Sequence, residues 1–268
     1  MLPFWLSIGV LSLVQAALVA APRPAVSRHL ERFQSRWWAL VLPLSIVVVI
    51  AAIAEESTTA DALTWLALVA VPPLAAAALA WIVRGGRPPL ALLVVPLFAL
   101  AWADRTALSG RTAALALSAL ACVTLGWLLA CVVPARWLKL GIYAMAAIDA
   151  YLVGTDLLQG PNAVLNAAAP GAGLPRLQLV HFGSAVMGFG DIFIAAVLGA
   201  LLSHDRRLQL RGAALATVLC VSFDFLFFAV DQLPATVPIA LTLAVLEVTE
   251  SRRLNRGRQG SRGSQRIR

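Results

Sequence analysis

Nine apolar runs follow one another along this chain, separated by short polar connections, and no water-soluble fold keeps that many such surfaces out of water. Most are close to the length a helix needs to cross a hydrocarbon layer of ~30 Å. The runs are Leu2 to Ala21, Trp37 to Ala54, Ala62 to Val83, Pro88 to Ala103, Ala113 to Val133, Leu140 to Leu158, Leu177 to Leu202, Gly212 to Val230 and Leu233 to Val248. Hydrophobic residues make up 60% of the chain and charged residues 13%. The long unbroken runs lack the short alternating segments of a membrane barrel. The expected fold class is an all-α polytopic membrane protein with nine transmembrane helices. Leu2 to Ala21 has no Lys or Arg ahead of it, and Pro22 stands directly after its best cleavage-like position, so it reads as a helix and not as a signal peptide.

The net charge of +8 raises the question of nucleic acid, but the basic residues sit in short connections and one tail. With nine spans, alternate connections fall on opposite sides of the membrane. Of the 21 Lys and Arg residues, 18 collect on one side and only Arg105, Arg111 and Arg176 on the other. The positive-inside rule then puts the N-terminus outside and the C-terminus in the cytoplasm. No nucleic-acid partner is expected. The tail from Ser251 to Arg268, rich in Arg, Gly, Ser and Gln, has too little apolar area to fold alone and reads as a disordered segment lying on anionic lipids. Three regions result: an N-terminal five-helix membrane region (1–139), a catalytic-type membrane region holding spans six to nine (140–250), and the basic tail (251–268). Cys122, Cys131 and Cys220 show no paired spacing, and His29, His181 and His204 are scattered, so neither a metal nor another cofactor is expected.

Within the seventh run stands Gly188-Phe189-Gly190-Asp191. A charge deep in a bilayer costs at least ~3 kcal/mol, so such a residue marks a functional site and needs a partner. Asp149, about nine residues from either end of the sixth run, supplies one at similar depth on the neighbouring antiparallel span. Two carboxylates sharing a dry site cannot both ionise, so one keeps its proton and an acid stands beside a base. Such a pair can activate water against an amide without metal or covalent intermediate. Gly188 and Gly190 would allow close backbone approach and local unwinding, giving water and an extended substrate room. Asp224, in the eighth run, reads as a satisfied polar contact in the bundle and stays outside the pair. Asp156 and Asp231 fall near the outer interface, and His181 would lie some 15 Å from Asp191 if the run were an ideal helix. Trp5, Trp37 and Trp137 read as interfacial anchors.

At these residues the chain resembles the presenilin and signal peptide peptidase family of intramembrane aspartyl proteases. Gly188 to Asp191 fits the GxGD motif, Ile148-Asp149 stands where the family usually has Tyr-Asp, and Pro234-Ala235-Thr236 resembles the PAL motif. Ile148 in place of tyrosine and Thr236 in place of leucine are the two departures. The resemblance covers Leu140 to about Val248. It implies a presenilin-like bundle, with Asp149 and Asp191 catalytic and Gly188, Gly190, Pro234 and Ala235 shaping the substrate cleft. The orientation is similar to that of the signal peptide peptidase branch, which implies single-span membrane proteins or signal-peptide remnants as substrates and a cell membrane, of bacterial plasma-membrane type, as the location. Three alternatives stay open: a prepilin-type peptidase, although Ile192 and Phe193 stand where a basic residue would follow that motif; a proton- or cation-coupled transporter; and a catalytically inactive relative that binds membrane helices.

Overall fold

In the computed structural model, residues 3–25, 30, 32–55, 57–168 and 170–265 are described. Arg28, His29 and Glu56 lie outside the described residues, as do Arg266 and Arg268 of the tail. The structure is mostly helical, at 78%. Among the described residues five helices are long and apolar enough to cross a membrane, and three shorter apolar helices accompany them. This is consistent with an all-α membrane protein.

The helices are α1 (Phe4–Ala20), α2 (Val41–Glu55), α3 (Ser57–Ala77), α4 (Val94–Ala103), α5 (Leu108–Val132), α6 (Ala135–Gly154), α7 (Gln159–Ala167), α8 (Phe189–Leu202), α9 (Arg206–Asp224) and α10 (Val237–Gln265). Several carry non-α turns at their ends: a 3-10 turn over Arg36–Leu40 leads into α2, one over Pro88–Leu93 leads into α4, and one over Phe225–Phe228 follows α9. Pro72 and Pro73 lie inside α3, which passes into a π turn over Ala78–Ile82.

α8 is the central element. It packs between α1 and α5 and also touches α6, α9 and α10. Most of its side chains are buried, including Ile192, Ile194, Val197 and Leu198. Two glycines permit the approach. A Cβ on Gly126 of α5 would come within 2.7 Å of the Ala196 carbonyl carbon, and one on Gly199 of α8 within 2.5 Å of the Leu18 carbonyl oxygen of α1. Between apolar helices in lipid there is little hydrophobic drive, and close packing over small residues takes its place. The main apolar core joins residues of both halves of the chain, such as Leu11, Cys122, Ile142, Leu198 and Leu243. By contrast α2 and α3 leave Leu44, Val48, Leu66 and Val69 exposed, an outer surface suited to lipid.

The two ends of the bundle differ in chemistry. At one end Arg23 donates to the Gly86 carbonyl at 3.1 Å, and Arg84 to Gln209 Oε1 at 3.0 Å. Arg206 donates to the same Gln209 oxygen at 2.9 Å and to the Ala20 carbonyl at 2.7 Å. Lys139 and Glu247 pair there at 2.8 Å. At the other end Ser7 near the start of α1 accepts from the Ser184 N–H at 3.2 Å, and Phe4 meets Phe227 edge to face at 5.3 Å.

Four expectations change. The first half of the seventh run is not helical: Leu179–Phe182 (β1) and Ala185–Gly188 (β2) form an antiparallel hairpin, with Gly183 at φ 57° in its two-residue turn. Gly-Ser between two short apolar stretches is a hairpin signal, and apolarity alone cannot separate a buried hairpin from a helix. The last helix starts at Val237, not Leu233, so Pro234-Ala235-Thr236 is irregular backbone. Pro238, not Pro234, takes the proline-tolerant first turn. The connection expected between the sixth and seventh runs contains a helix, α7. The basic tail, expected to be disordered, continues α10 as far as Gln265; arginine is among the better helix formers, and the chain there extends a helix already nucleated in the core.

Candidate active site

Asp149 and Asp191 come from α6 and α8, which are in contact, and both adjoin the segment before α10: Asp149 bonds Thr236, and Gln15 bridges the neighbouring Ala235 carbonyl to the Asp191 carbonyl. Neither aspartate is midway along its helix. α6 begins at Ala135 and ends at Gly154, so Asp149 lies in its C-terminal part, while Asp191 is the third residue of α8. Both shifts run toward the same end of the bundle, which is why the two depths still match. The 15 Å rise assumed between His181 and Asp191 does not apply, because a hairpin and not a helix separates them.

Asp149 is 4% exposed. Its Oδ2 accepts the Thr236 hydroxyl at 2.6 Å and the Thr236 N–H at 3.4 Å. Neither neighbouring tyrosine supplies the partner: Tyr143 donates to Glu247 at 2.8 Å, and Tyr151 is exposed. Thr236, one of the two departures from the motif, is thus the residue that holds the first carboxylate. Asp191 Oδ2 accepts the Gly188 N–H at 3.1 Å across the start of α8. Gly188 has φ −67° and ψ 150°, open to any residue, so its backbone freedom is not what the position requires. Its lack of a side chain is: a Cβ there would stand 3.1 Å from Asp191 Oδ2. A Cβ on Gly190 would meet Met145 Cε of α6 at 3.4 Å. Gly188 therefore leaves room for the Asp191 carboxylate, whereas the contact a Cβ would make at Gly190 is an ordinary one.

Pro234 and Ala235 lie beside the pair through a residue that sequence reasoning missed. Gln15 of α1, 1% exposed, donates from Nε2 to the Asp191 carbonyl at 2.9 Å and to the Ala235 carbonyl at 3.3 Å. One amide thus ties the start of α8 to the irregular segment before α10. A signal existed: Ser12 and Gln15 are polar residues three apart in a largely apolar helix, and so share a face. Ser12 donates to Asp224 Oδ2 at 2.8 Å.

Gln15, Asp191, Asp224, Met187 and Ala235 line one cavity of about 70 Å³. That is room for a few water molecules among polar groups able to bind them. Asp224 is both bonded within the bundle and a wall of this cavity. On one side the cavity is bounded by Val186 and Met187 of β2, on another by Leu233 and Ala235. Non-helical backbone in a membrane bundle is tolerated where it is buried in protein or lines a cavity, and both segments meet that condition. Asp156 and Asp231 are exposed and outside the site. Comparison with protein-family models, with curated proteins and with solved structures finds no match for this chain.

Proposed function

We propose that this chain is an intramembrane aspartyl endopeptidase, in which Asp149 and Asp191 share one proton and activate water against a peptide bond of a membrane helix. The observation that carries the reading is that Asp191 lines a small cavity while Asp149, on the contacting helix α6, bonds Thr236 of the PAL-like segment, which Gln15 ties to Asp191 through Ala235. The ionised carboxylate takes a proton from water while the oxygen attacks the carbonyl carbon. The protonated carboxyl gives its proton to the carbonyl oxygen as the tetrahedral adduct forms. The adduct collapses as one carboxyl gives its proton to the nitrogen and the other carboxylate takes one from a hydroxyl of the adduct; the C–N bond breaks, and the pair again holds one proton. An intact helix keeps its carbonyls bonded, so a substrate has to be extended at the site. The cavity walls of β2 and Leu233 to Ala235 offer backbone for such a strand to lie against.

The chain then has nine spans with the N-terminus outside and the C-terminus in the cytoplasm of a bacterial-type plasma membrane. Contacts among Arg23, Arg84, Arg206 and Gln209 at one end, and between Ser7 and Ser184 at the other, support the alternation of sides. Substrates are single-span proteins or signal-peptide remnants, and the basic tail meets anionic lipids. Purified protein in detergent is expected to cleave quenched-fluorescent transmembrane peptides, and Asp149→Ala and Asp191→Ala are each expected to abolish cleavage. Equal cleavage by wild type and Asp191→Ala would remove the reading.

A proton-coupled transporter is the second reading, favoured by Asp224 and Ser12 on the cavity that Asp191 also lines. Proton-coupled uptake into liposomes that Asp149→Asn abolishes, with no peptide cleaved by wild type, would decide for it.

A further inference from the structure

At the end of the bundle where Ser7 meets Ser184, a second cavity of about 400 Å³ opens between the connection that follows α4 and the loop that precedes β1. Arg105, Arg111 and Arg176 line it, together with His181. These are the three basic residues that the charge count sets apart from all the others. They come from two separate stretches of chain, yet they converge.

Each guanidinium is held in place by a backbone carbonyl. Arg105 donates to Gly173, Arg111 Nη1 to Gly183 at 2.7 Å and Arg176 Nη1 to Asn166 at 2.9 Å. A guanidinium has five N–H donors, so most of each fork stays available. Among the described residues none of the three is ion-paired with a carboxylate, and no Asp or Glu lines the cavity. The fields of Arg176 and Arg111 reach His181, whose Nε2 is buried with no hydrogen-bond partner. Three cationic side chains thus line one cavity with no carboxylate on its walls, and an anion held there would supply the counter-charge.

We propose that this cavity binds a phosphate group, carried by the headgroup of an anionic phospholipid or free in solution. Guanidinium forks match phosphate oxygens two at a time, which a single carboxylate shared among three arginines would not satisfy. The volume falls within the range of small-molecule sites. Ala101 of α4 and Ala114 of α5 add an apolar wall near the helix ends, the depth at which a headgroup would sit. The inference does not depend on the protease reading.

The test compares wild type with the R105Q/R111Q/R176Q variant, both with the basic tail intact, in phosphatidylcholine nanodiscs. Millimolar inorganic phosphate is added in one arm and phosphatidylglycerol is included in the other. Thermal unfolding and native mass spectrometry read the outcome. At least one arm is expected to raise the wild-type midpoint by several degrees, with binding weakened ~10-fold or more in the variant. A response to phosphate alone identifies a soluble ligand, and a response to phosphatidylglycerol alone identifies the lipid. No shift in either arm, or an equal shift in both proteins, overturns the proposal, the latter because the basic tail would then account for it. Should the triple variant fail to fold, Arg176→Gln, which loses only a loop contact, carries the same comparison.

Discussion

Thr236 stands where the resembled motif has leucine, and its hydroxyl and N–H both reach Asp149. A buried carboxylate deprived of a donor loses about 1–3 kcal/mol. Thr236→Val, which keeps the shape and removes the hydroxyl, is expected to lower the thermal stability of the detergent-solubilised protein by that order and to slow peptide cleavage, while Thr236→Ser restores both. A cleavage rate equal to wild type in Thr236→Val would separate the threonine from the chemistry. Gln15 belongs to the same scale. Its one amide reaches Asp191 and Ala235, residues far apart in sequence, and no local pattern in the first run points to them. Asp149 and Asp191 were legible because a charge in an apolar run is costly wherever it faces. Their partners were not, because a hydrogen bond depends on which helix lies opposite.

At the level of elements, α8 is fixed by how closely its neighbours approach. Even one methyl group at Gly199 would press on the backbone of Leu18 and Val19. Gly199→Ala is therefore expected to destabilise the bundle by ~1–3 kcal/mol, seen as a lowered unfolding midpoint in detergent. Gly154→Ala, where nothing lies within 4 Å, serves as the control and is expected to leave the midpoint unchanged or slightly raised. The hairpin ahead of α8 shows the limit of hydropathy. Leu177 to Leu202 is mostly apolar, which fits a helix and a hairpin buried against α5 and α1 equally well. The Gly183-Ser184 turn held the distinction, but its weight depends on whether neighbouring helices cover the strand edges.

For the whole molecule, the orientation proposed from the charge count sets the ends of the bundle on opposite sides of the membrane. The arginine network at one end and the Ser7 to Ser184 contact at the other are geometrically in keeping with it. Cysteine placed at Thr155, exposed beyond the end of α6, is expected to react with a membrane-impermeant maleimide in intact cells. Cysteine placed at Arg207 is expected to react only after permeabilisation. The native Cys122, Cys131 and Cys220 are buried and give low background. The opposite labelling pattern would invert the orientation. The division into an N-terminal and a catalytic-type region has little physical meaning for the packed bundle, since α1 supplies Ser12 and Gln15 to the site and α5 cradles α8.

The amino-acid sequence by itself determined that this is a helical chain for an apolar medium, which stretches are apolar enough to enter it, and that Asp149 and Asp191 are costly residues there. Those properties are set by transfer free energies, which each residue carries wherever it goes. Only the tertiary structure decided that the seventh run opens as a hairpin, that Thr236 and Gln15 hold the pair, and that three distant arginines share a cavity. Contacts between segments far apart in the chain depend on helix approach and rotation, and small residues such as Gly126 and Gly199 set those only once the partner helix is in place.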